Sequence, residues 1–107
     1  MPKYMYLYRG PSSPVSNLTP EQAAERAAAF GVWMTKVGPA LVDAGAPFGA
    51  AGSVCDDGTD GAPVDLVGYT VLNAVDLITA KALTDGLPFL ADRDGKHSVE
   101  IFELLSI

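Results

Sequence analysis

The chain has 107 residues, of which 49% are hydrophobic, and its formal charge is −6 from 13 acidic and 7 basic side chains. This length suits a single domain, spanning residues 1–107, with one core. The basic residues are scattered along the chain, so no positive stripe can neutralise phosphates, and neither nucleic acid nor an anionic membrane is expected as a partner. No stretch approaches the ~20 apolar residues of a transmembrane helix.

The cysteine content and the first residues predict a cytoplasmic protein. Cys55 is the single cysteine, so the chain cannot form an internal disulfide framework, and a thiolate zinc cluster is not expected. Pro2 and Lys3 precede only five apolar residues, which are too few for the apolar segment of a secretory signal.

Residues 4–8 predict a first strand, which ends before Gly10. Alternation along a strand puts Met5 and Leu7 on one face and three tyrosines on the other. A loop rich in proline and serine is predicted over residues 11–18.

A first helix is predicted to begin after Thr19, because Thr19 can cap the first amides and Gln22 stands at the capping-box position. Pro20 suits the first helical position. Apolar residues then recur every three or four positions and form one stripe: Ala23, Ala27, Phe30, Met34 and Val37. Trp33 flanks this stripe and is expected mainly in the core. Gly38-Pro39 should interrupt the helix.

The second half of the chain predicts three strands and a helix. Residues 40–44 are expected to add a helical turn that ends at Gly45, and residues 46–54 to form a weak second strand. After an acidic, glycine-rich loop over residues 55–63, residues 65–73 predict a third strand. Asp76 should cap a second helix that ends by Pro88. A turn over residues 92–95 precedes a fourth strand over residues 98–105.

This β-α-β-β-α-β order predicts an α+β, ferredoxin-like fold, with two helices on one face of a four-stranded antiparallel sheet. The other face is expected to carry five side chains: Tyr4, Tyr6, Tyr8, Glu100 and Phe102. A sheet covered on one face only needs a partner on the other, so a homodimer is predicted. Glycines at positions 49, 52 and 68 leave little side-chain volume and favour a cavity there.

Several segments, taken in order, resemble the YCII-related family, whose members are small proteins of the dimeric α/β-barrel superfamily. The matching segments cover nearly the whole chain: Lys3-Tyr4-Met5-Tyr6-Leu7-Tyr8, Thr19-Pro20-Glu21-Gln22, Trp33 through Asp43-Ala44-Gly45-Ala46-Pro47-Phe48-Gly49, Gly68-Tyr69-Thr70-Val71 and Ser98-Val99-Glu100-Ile101. The resemblance implies a homodimer whose two sheets face each other across a cavity. Residues 60–64 match the Asp-Gly-Pro-Phe motif of some relatives only approximately. Other relatives are proposed to use a histidine on the first helix, which this chain lacks.

Two carboxylates are the candidate catalytic residues. Asp43 precedes Gly45, and it either projects toward a cavity as a general base or hydrogen-bonds amides of the local turn. Glu100 stands in mid-strand, where it is a buried acid with a raised pKa, the partner of a basic residue at the dimer interface, or an exposed side chain at a sheet edge. His97, the only histidine, is expected to be solvated at the start of its strand rather than paired with Asp94.

The candidate ligand-binding residues are mostly aromatic. Tyr6 and Tyr8 would give a cavity an apolar wall with hydroxyl donors, and Trp33 and Phe102 would extend it. Arg9, at the end of the first strand, either binds a substrate carboxylate or is simply an exposed charge. No metal is expected, since residues 56–61 only partly match a calcium loop and one histidine ligates transition metals poorly. No cofactor is predicted, because the chain lacks a phosphate-binding glycine loop.

Three functions remain open from the sequence. The first is a dimer that binds a small, mostly apolar metabolite at the sheet face. The second is a cofactor-independent enzyme that uses Asp43 or Glu100 as its acid or base. The third is a structural or accessory dimer with a filled interface and no ligand.

Overall fold

The computed structural model describes residues 1–10, 19–91, 93 and 95–106. The loop predicted over residues 11–18 lies outside the described residues. So do Asp92 and Asp94 of the predicted turn, and with Asp94 the possible pair with His97. The described elements are, in chain order, strand β1 (Lys3–Arg9), helix α1 (Pro20–Val37), a 3-10 helix (Gly38–Ala40), strands β2 (Leu41–Asp43), β3 (Ser53–Val54), β4 (Asp60–Gly61) and β5 (Leu66–Asn73), helix α2 (Leu77–Ala82), a 3-10 helix (Pro88–Leu90) and strand β6 (Ser98–Leu104).

Within these residues the fold is α+β, with a four-stranded antiparallel sheet in the order β2-β5-β1-β6. The strand order and the two helices are compatible with the predicted ferredoxin-like arrangement. The register sets Leu7 opposite both Tyr69 and Glu100, and Met5 opposite Val71 and Phe102. Residues directly opposite one another in antiparallel strands share a face of the sheet.

Helix α1 begins as the sequence predicts. The Thr19 hydroxyl accepts a hydrogen bond from the Gln22 amide at 3.1 Å, and the Gln22 side chain accepts one from the Thr19 amide at 3.0 Å. These reciprocal bonds satisfy amides that have no partner within the helix. Asp76 caps α2 in a related way, since its carboxylate accepts from the Thr79 amide at 2.8 Å.

The predicted position of the tyrosines is wrong, because they lie beneath the helices. Tyr4, Tyr6 and Tyr8 are buried with Trp33 and Leu72 in the core. Alternation shows which residues of a strand share a face, but it does not show which face the helices cover. The register also separates the tyrosines from Glu100, with which they were predicted to share a face. Tyr6 lies opposite Ile101, so it shares a face with Ile101, and Glu100, the residue before Ile101, lies on the other face.

The face opposite the helices is here called the open face. It is formed by side chains from the three longest strands: Met5, Leu7, Arg9, Tyr69, Val71, Ser98, Glu100 and Phe102. The predicted placement of Glu100 and Phe102 on the face away from the helices is confirmed. Val99 and Ile101, on the opposite parity, pack against the core.

The predicted second strand is also misplaced. The strand that joins the sheet is β2, where a further helical turn was expected, and it begins directly after the 3-10 helix that contains Pro39. Within residues 46–54, Pro47 forms an isolated bridge to Gly68, and β3 pairs with β4 in a separate two-stranded ribbon. Because β-branched Val42 favours extended backbone, the chain enters the sheet as soon as the Gly38-Pro39 pair has stopped the helix.

The glycines do not leave a hollow on the sheet, contrary to expectation. A Cβ on Gly68 would lie 3.4 Å from the Tyr8 ring and 3.1 Å from the carbonyl oxygen of Ala46, so neighbouring groups already occupy the space. Gly49 and Gly52 lie on the exposed connection that follows β2. Their missing side chains leave room in solvent rather than on the sheet.

Candidate functional site

The open face is an apolar surface bounded by polar groups. Phe102 is 55% exposed, and Met5 and Leu7 on the central strand β1 are half-buried by their neighbours. Polar and charged side chains stand around them, at the β2 edge, on β6 and at the end of β1.

At the β2 edge, Asp43 holds both the local backbone and a tyrosine. One carboxylate oxygen accepts a hydrogen bond from the Gly45 amide at 2.8 Å, and the other accepts from the Tyr69 hydroxyl at 3.1 Å. The bond to the local amide is the one that the sequence predicts for a turn. The nearby carboxylate raises the pKa of Tyr69, because ionising the phenol would break this bond and place two negative charges together.

Close backbone packing fixes this edge of the site. Gly45 has φ +79°, and a Cβ there would lie 1.7 Å from the Tyr69 carbonyl oxygen, so no other residue fits without moving the chain. The left-handed glycine predicted at this position is confirmed, although it follows a strand rather than a helix. The Phe48 ring stacks on Tyr69, with centroids 6.0 Å apart and an interplanar angle of 18°. We call Asp43, Phe48 and Tyr69 the β2 corner.

On β6, Glu100 faces outward as predicted. Its carboxylate accepts a hydrogen bond from the Ser98 hydroxyl at 3.0 Å. β6 and β2 are the two edges of the sheet, so Glu100 and Asp43 are separated by three strand spacings, or about 14 Å. One chain therefore does not bring the two candidate acids to a single reacting atom.

At the end of β1, Arg9 lines an open cleft with a volume of about 440 Å³. Its register partner is Ser98 on β6. Two further residues of the cleft, Lys96 and His97, precede β6. The His97 ring stands edge-on to Phe89, with centroids 5.0 Å apart, so it is held at the rim of the core rather than in open solvent.

Three of the predicted ligand-binding residues lie in the core. The Tyr6 hydroxyl donates to the Ala80 carbonyl, and the Tyr8 hydroxyl shares a 2.6 Å hydrogen bond with Thr70. The Trp33 indole donates to the carbonyl of Leu83 at 2.9 Å. Burial raises the pKa of both tyrosines, since the phenolate would lose its hydration. These polar groups are used inside the fold, whereas Arg9 and Phe102 lie on the open face.

Tyr69 and Phe48 are the site residues that sequence reasoning missed. A tyrosine within a predicted apolar strand is equally consistent with the core, and its partner Asp43 is 26 residues away. The sequence does show that Tyr69 and Val71, two residues apart in one strand, share a face of the sheet. Which face that is follows only from the register of this strand with β1.

The acidic loop forms the turn of the β3–β4 ribbon. The Asp57 carboxylate accepts from the Thr59 amide at 3.0 Å and from the Thr59 hydroxyl at 2.7 Å, and these bonds lower the pKa of Asp57. Among the described residues, no group of three or more histidine, cysteine, aspartate or glutamate side chains is placed to hold a metal ion. In the same part of the chain, no helix combines the length and apolar character that crossing a bilayer requires.

Together, the fold and the site define an α+β protein with one helix-covered face and one open, apolar face that carries separate polar groups. No protein-family model matches the chain, and no curated protein matches it. The resemblance to the YCII-related family stays a prediction.

Proposed function

We propose that the protein is a homodimer that binds a small, mostly apolar molecule between the open faces of its two copies. The observation that carries the proposal is the open face itself, where apolar side chains such as Phe102 and Leu7 remain beside water. Exposed apolar surface of this kind marks binding surfaces, since covering it releases free energy.

A second copy is the occupant that best suits the face. Its outline carries both signs of charge, with Arg9 and Lys3 on β1, Glu100 on β6 and Asp43 on β2. A two-fold axis brings the same surface from each copy together, so opposite charges can be paired. The resemblance to the YCII-related family, which implies sheets facing across a cavity, supports the same arrangement.

The β2 corner supports a ligand as well as a partner. Phe48 and Tyr69 present stacked rings, and the Asp43 carboxylate stands at their polar end. Small-molecule sites combine an apolar wall with a few fixed polar groups in this way. A flat, apolar molecule would lie against the rings and place one polar atom near the Tyr69 hydroxyl.

The oligomeric state tests the first half of the proposal. Sedimentation velocity at micromolar concentration should give a dimer for the wild-type protein and a monomer for Leu7→Arg, which puts a charge at the centre of the open face. Val32→Arg is the matched control, because Val32 is 71% exposed on α1, and it should stay dimeric. A monomeric wild-type protein contradicts the proposal.

Binding of a neutral probe tests the second half. N-phenyl-1-naphthylamine should fluoresce with the wild-type dimer and less with Tyr69→Ala, while Tyr69→Phe keeps the ring and serves as the control. A dimer that never binds the probe would instead support a purely structural role.

A second candidate function rests on the bond between Asp43 and Tyr69. An accessible carboxylate beside a phenol held in its protonated form could serve as a general base and a proton donor. Turnover of a bound ligand that Asp43→Asn abolishes, without loss of binding, would favour this enzyme over a binding module. Equal turnover by the variant would contradict it.

A further inference from the structure

Positive charge gathers at one end of the open face, although the chain as a whole is acidic. Two of the seven lysine and arginine side chains, Arg9 and Lys96, line the cleft at the end of β1 together with the only histidine. Asp65 is the one acidic side chain among the described residues that line it. Arg9 is exposed at this end of the open face, and its permanent positive charge favours an anion there.

The fold builds the cleft by a close approach of two chain segments. A Cβ on Gly10 would lie 2.9 Å from the Lys96 carbonyl oxygen and 3.0 Å from the His97 ring. The Gly10 amide also donates to the Asp65 carbonyl oxygen at 3.2 Å. Because glycine permits this approach, the end of β1 lies directly against the residues that lead into β6. Arg9 is thereby held on a rigid strand end.

Arg9 has the chemistry of an anion receptor. It is exposed, and no residue that the structure describes forms an ion pair with it. A guanidinium binds a carboxylate or a phosphate through two parallel hydrogen bonds. The Ser98 hydroxyl lies in the same cleft, where it donates to the Glu100 carboxylate at 3.0 Å, so Arg9 is the donor for the anion.

The cleft is continuous with the apolar part of the open face. The same face of β1 carries Met5, Leu7 and Arg9, and successive members of this row are about 7 Å apart along the strand. An extended apolar chain lying on Leu7 and Met5 would therefore reach Arg9 at one end. Glu100, opposite Leu7, would repel an anionic group placed over Leu7, and its carboxylate also accepts from the Ser98 hydroxyl beside the cleft at 3.0 Å. The charged head would therefore bind on the Arg9 side of the cleft.

We propose that the ligand is an amphiphilic anion whose apolar body lies on Leu7 and Met5 and whose carboxylate or phosphate head binds in the Arg9 cleft. This inference rests on the proposed function and adds the class of ligand. It makes Arg9 the residue that binds the charged head of the ligand.

Three probes with the same octyl chain isolate the head group: octanoate, octyl phosphate and 1-octanol. Calorimetric titration of the wild-type protein should give affinities for at least one of the two anions about tenfold tighter than for the alcohol. Arg9→Gln should remove this difference. Lys81→Gln removes one positive charge from an exposed position on α2, away from the open face, and should preserve the difference. The tighter of the two anions identifies the head group.

The outcomes separate this inference from the proposed function. Equal binding of all three probes, unchanged by Arg9→Gln, would overturn the Arg9 cleft as a head-group site and leave an apolar cavity standing. Failure of every probe to bind would overturn both. A preference for an anion that Lys81→Gln removes as fully as Arg9→Gln would show a general charge effect and would also overturn the site.

Discussion

The two faces of the sheet use aromatic residues for opposite purposes. On the face under the helices, Tyr6, Trp33 and Leu72 are completely enclosed, and their polar atoms are hydrogen-bonded inside the protein. On the open face, Phe102 and Tyr69 lie at or near solvent, and Tyr69 bonds an exposed carboxylate. We infer that the covered face provides most of the stability, whereas the open face is available for binding.

The segment that follows β2 is held from both faces at once. On the covered side, the Thr70 hydroxyl donates to the Ala44 carbonyl at 3.0 Å. On the open side, the Asp43 carboxylate accepts from Tyr69. The helix-covered core therefore fixes the position of a group on the open face, which is how a small domain can present a rigid site.

The largest expected effect tests the covered face. Trp33→Ala removes a side chain that is 1% exposed and leaves a cavity between α1 and β1, and it also leaves the Leu83 carbonyl without its donor. We expect the free energy of unfolding to fall by about 3–5 kcal/mol. Urea denaturation followed by circular dichroism measures it.

The control is Val32→Ala, one residue earlier and on the exposed side of the same helix. It should change the free energy of unfolding by less than about 0.5 kcal/mol. Similar losses of stability in the two variants would contradict the assignment of Trp33 to the covered face and Val32 to the exposed side of α1.

The next effect tests how the β2 corner is built. Gly45→Ala places a Cβ against the Tyr69 carbonyl in a left-handed backbone and should cost about 3 kcal/mol. Gly49→Ala, four residues later, has no atom within 4 Å of the new Cβ and should cost close to nothing. Thermal unfolding of both variants measures the difference in stability. An equal loss would contradict the close approach of the Tyr69 carbonyl to Gly45.

The sequence predicted the elements better than it predicted their placement. The cap at Thr19, the cap at Asp76 and the extent of β6 follow from local chemistry, and all are found. Local signals depend on residues a few positions apart, which is why they can be read from one sequence. The α+β class and the sheet follow from their order.

The face of each strand depends on contacts that lie far apart in the chain. The tyrosines of β1 are internal because Trp33 and the backbone of Ala80 meet them there, 27 and 74 residues after Tyr6. Aromatic rings bury more apolar area than Met5 and Leu7, so the helices cover the tyrosine face once their hydroxyls find partners. The β2 corner needed the register of β5 with β1, which alternation alone does not supply.

A smaller effect distinguishes buried from exposed hydroxyls. Tyr6→Phe removes the donor to the Ala80 carbonyl inside the core and should cost about 1–2 kcal/mol. Tyr69→Phe is the matched change on the open face and should cost less than about 0.5 kcal/mol. Equal costs in urea denaturation would mean that the hydroxyls of the two faces are equivalent.

Alkaline pH sharpens the same contrast. Burial raises the pKa of Tyr6 and Tyr8 above the ordinary 10.0, so the unfolded chain releases their protons at a lower pH than the folded one. This stabilisation is complete below pH 10 and is lost as the pH rises from 10 toward the folded pKa values. The free energy of unfolding should therefore fall above pH 10, and it should fall less steeply in Tyr6→Phe. A fall of the same steepness in both proteins would contradict the assignment.

The smallest effect concerns charge on the open face alone. Asp43→Asn keeps an oxygen for the Gly45 amide but removes the carboxylate that raises the pKa of Tyr69. The Tyr69 hydroxyl should then titrate at a lower pH in a ¹³C NMR titration of labelled tyrosine, while stability changes by less than about 0.5 kcal/mol. Asp57→Asn, in the β3–β4 turn, should leave the Tyr69 titration unchanged. If Asp43→Asn leaves it unchanged as well, the β2 corner does not hold its phenol through the carboxylate, and the case for a proton donor at the open face fails.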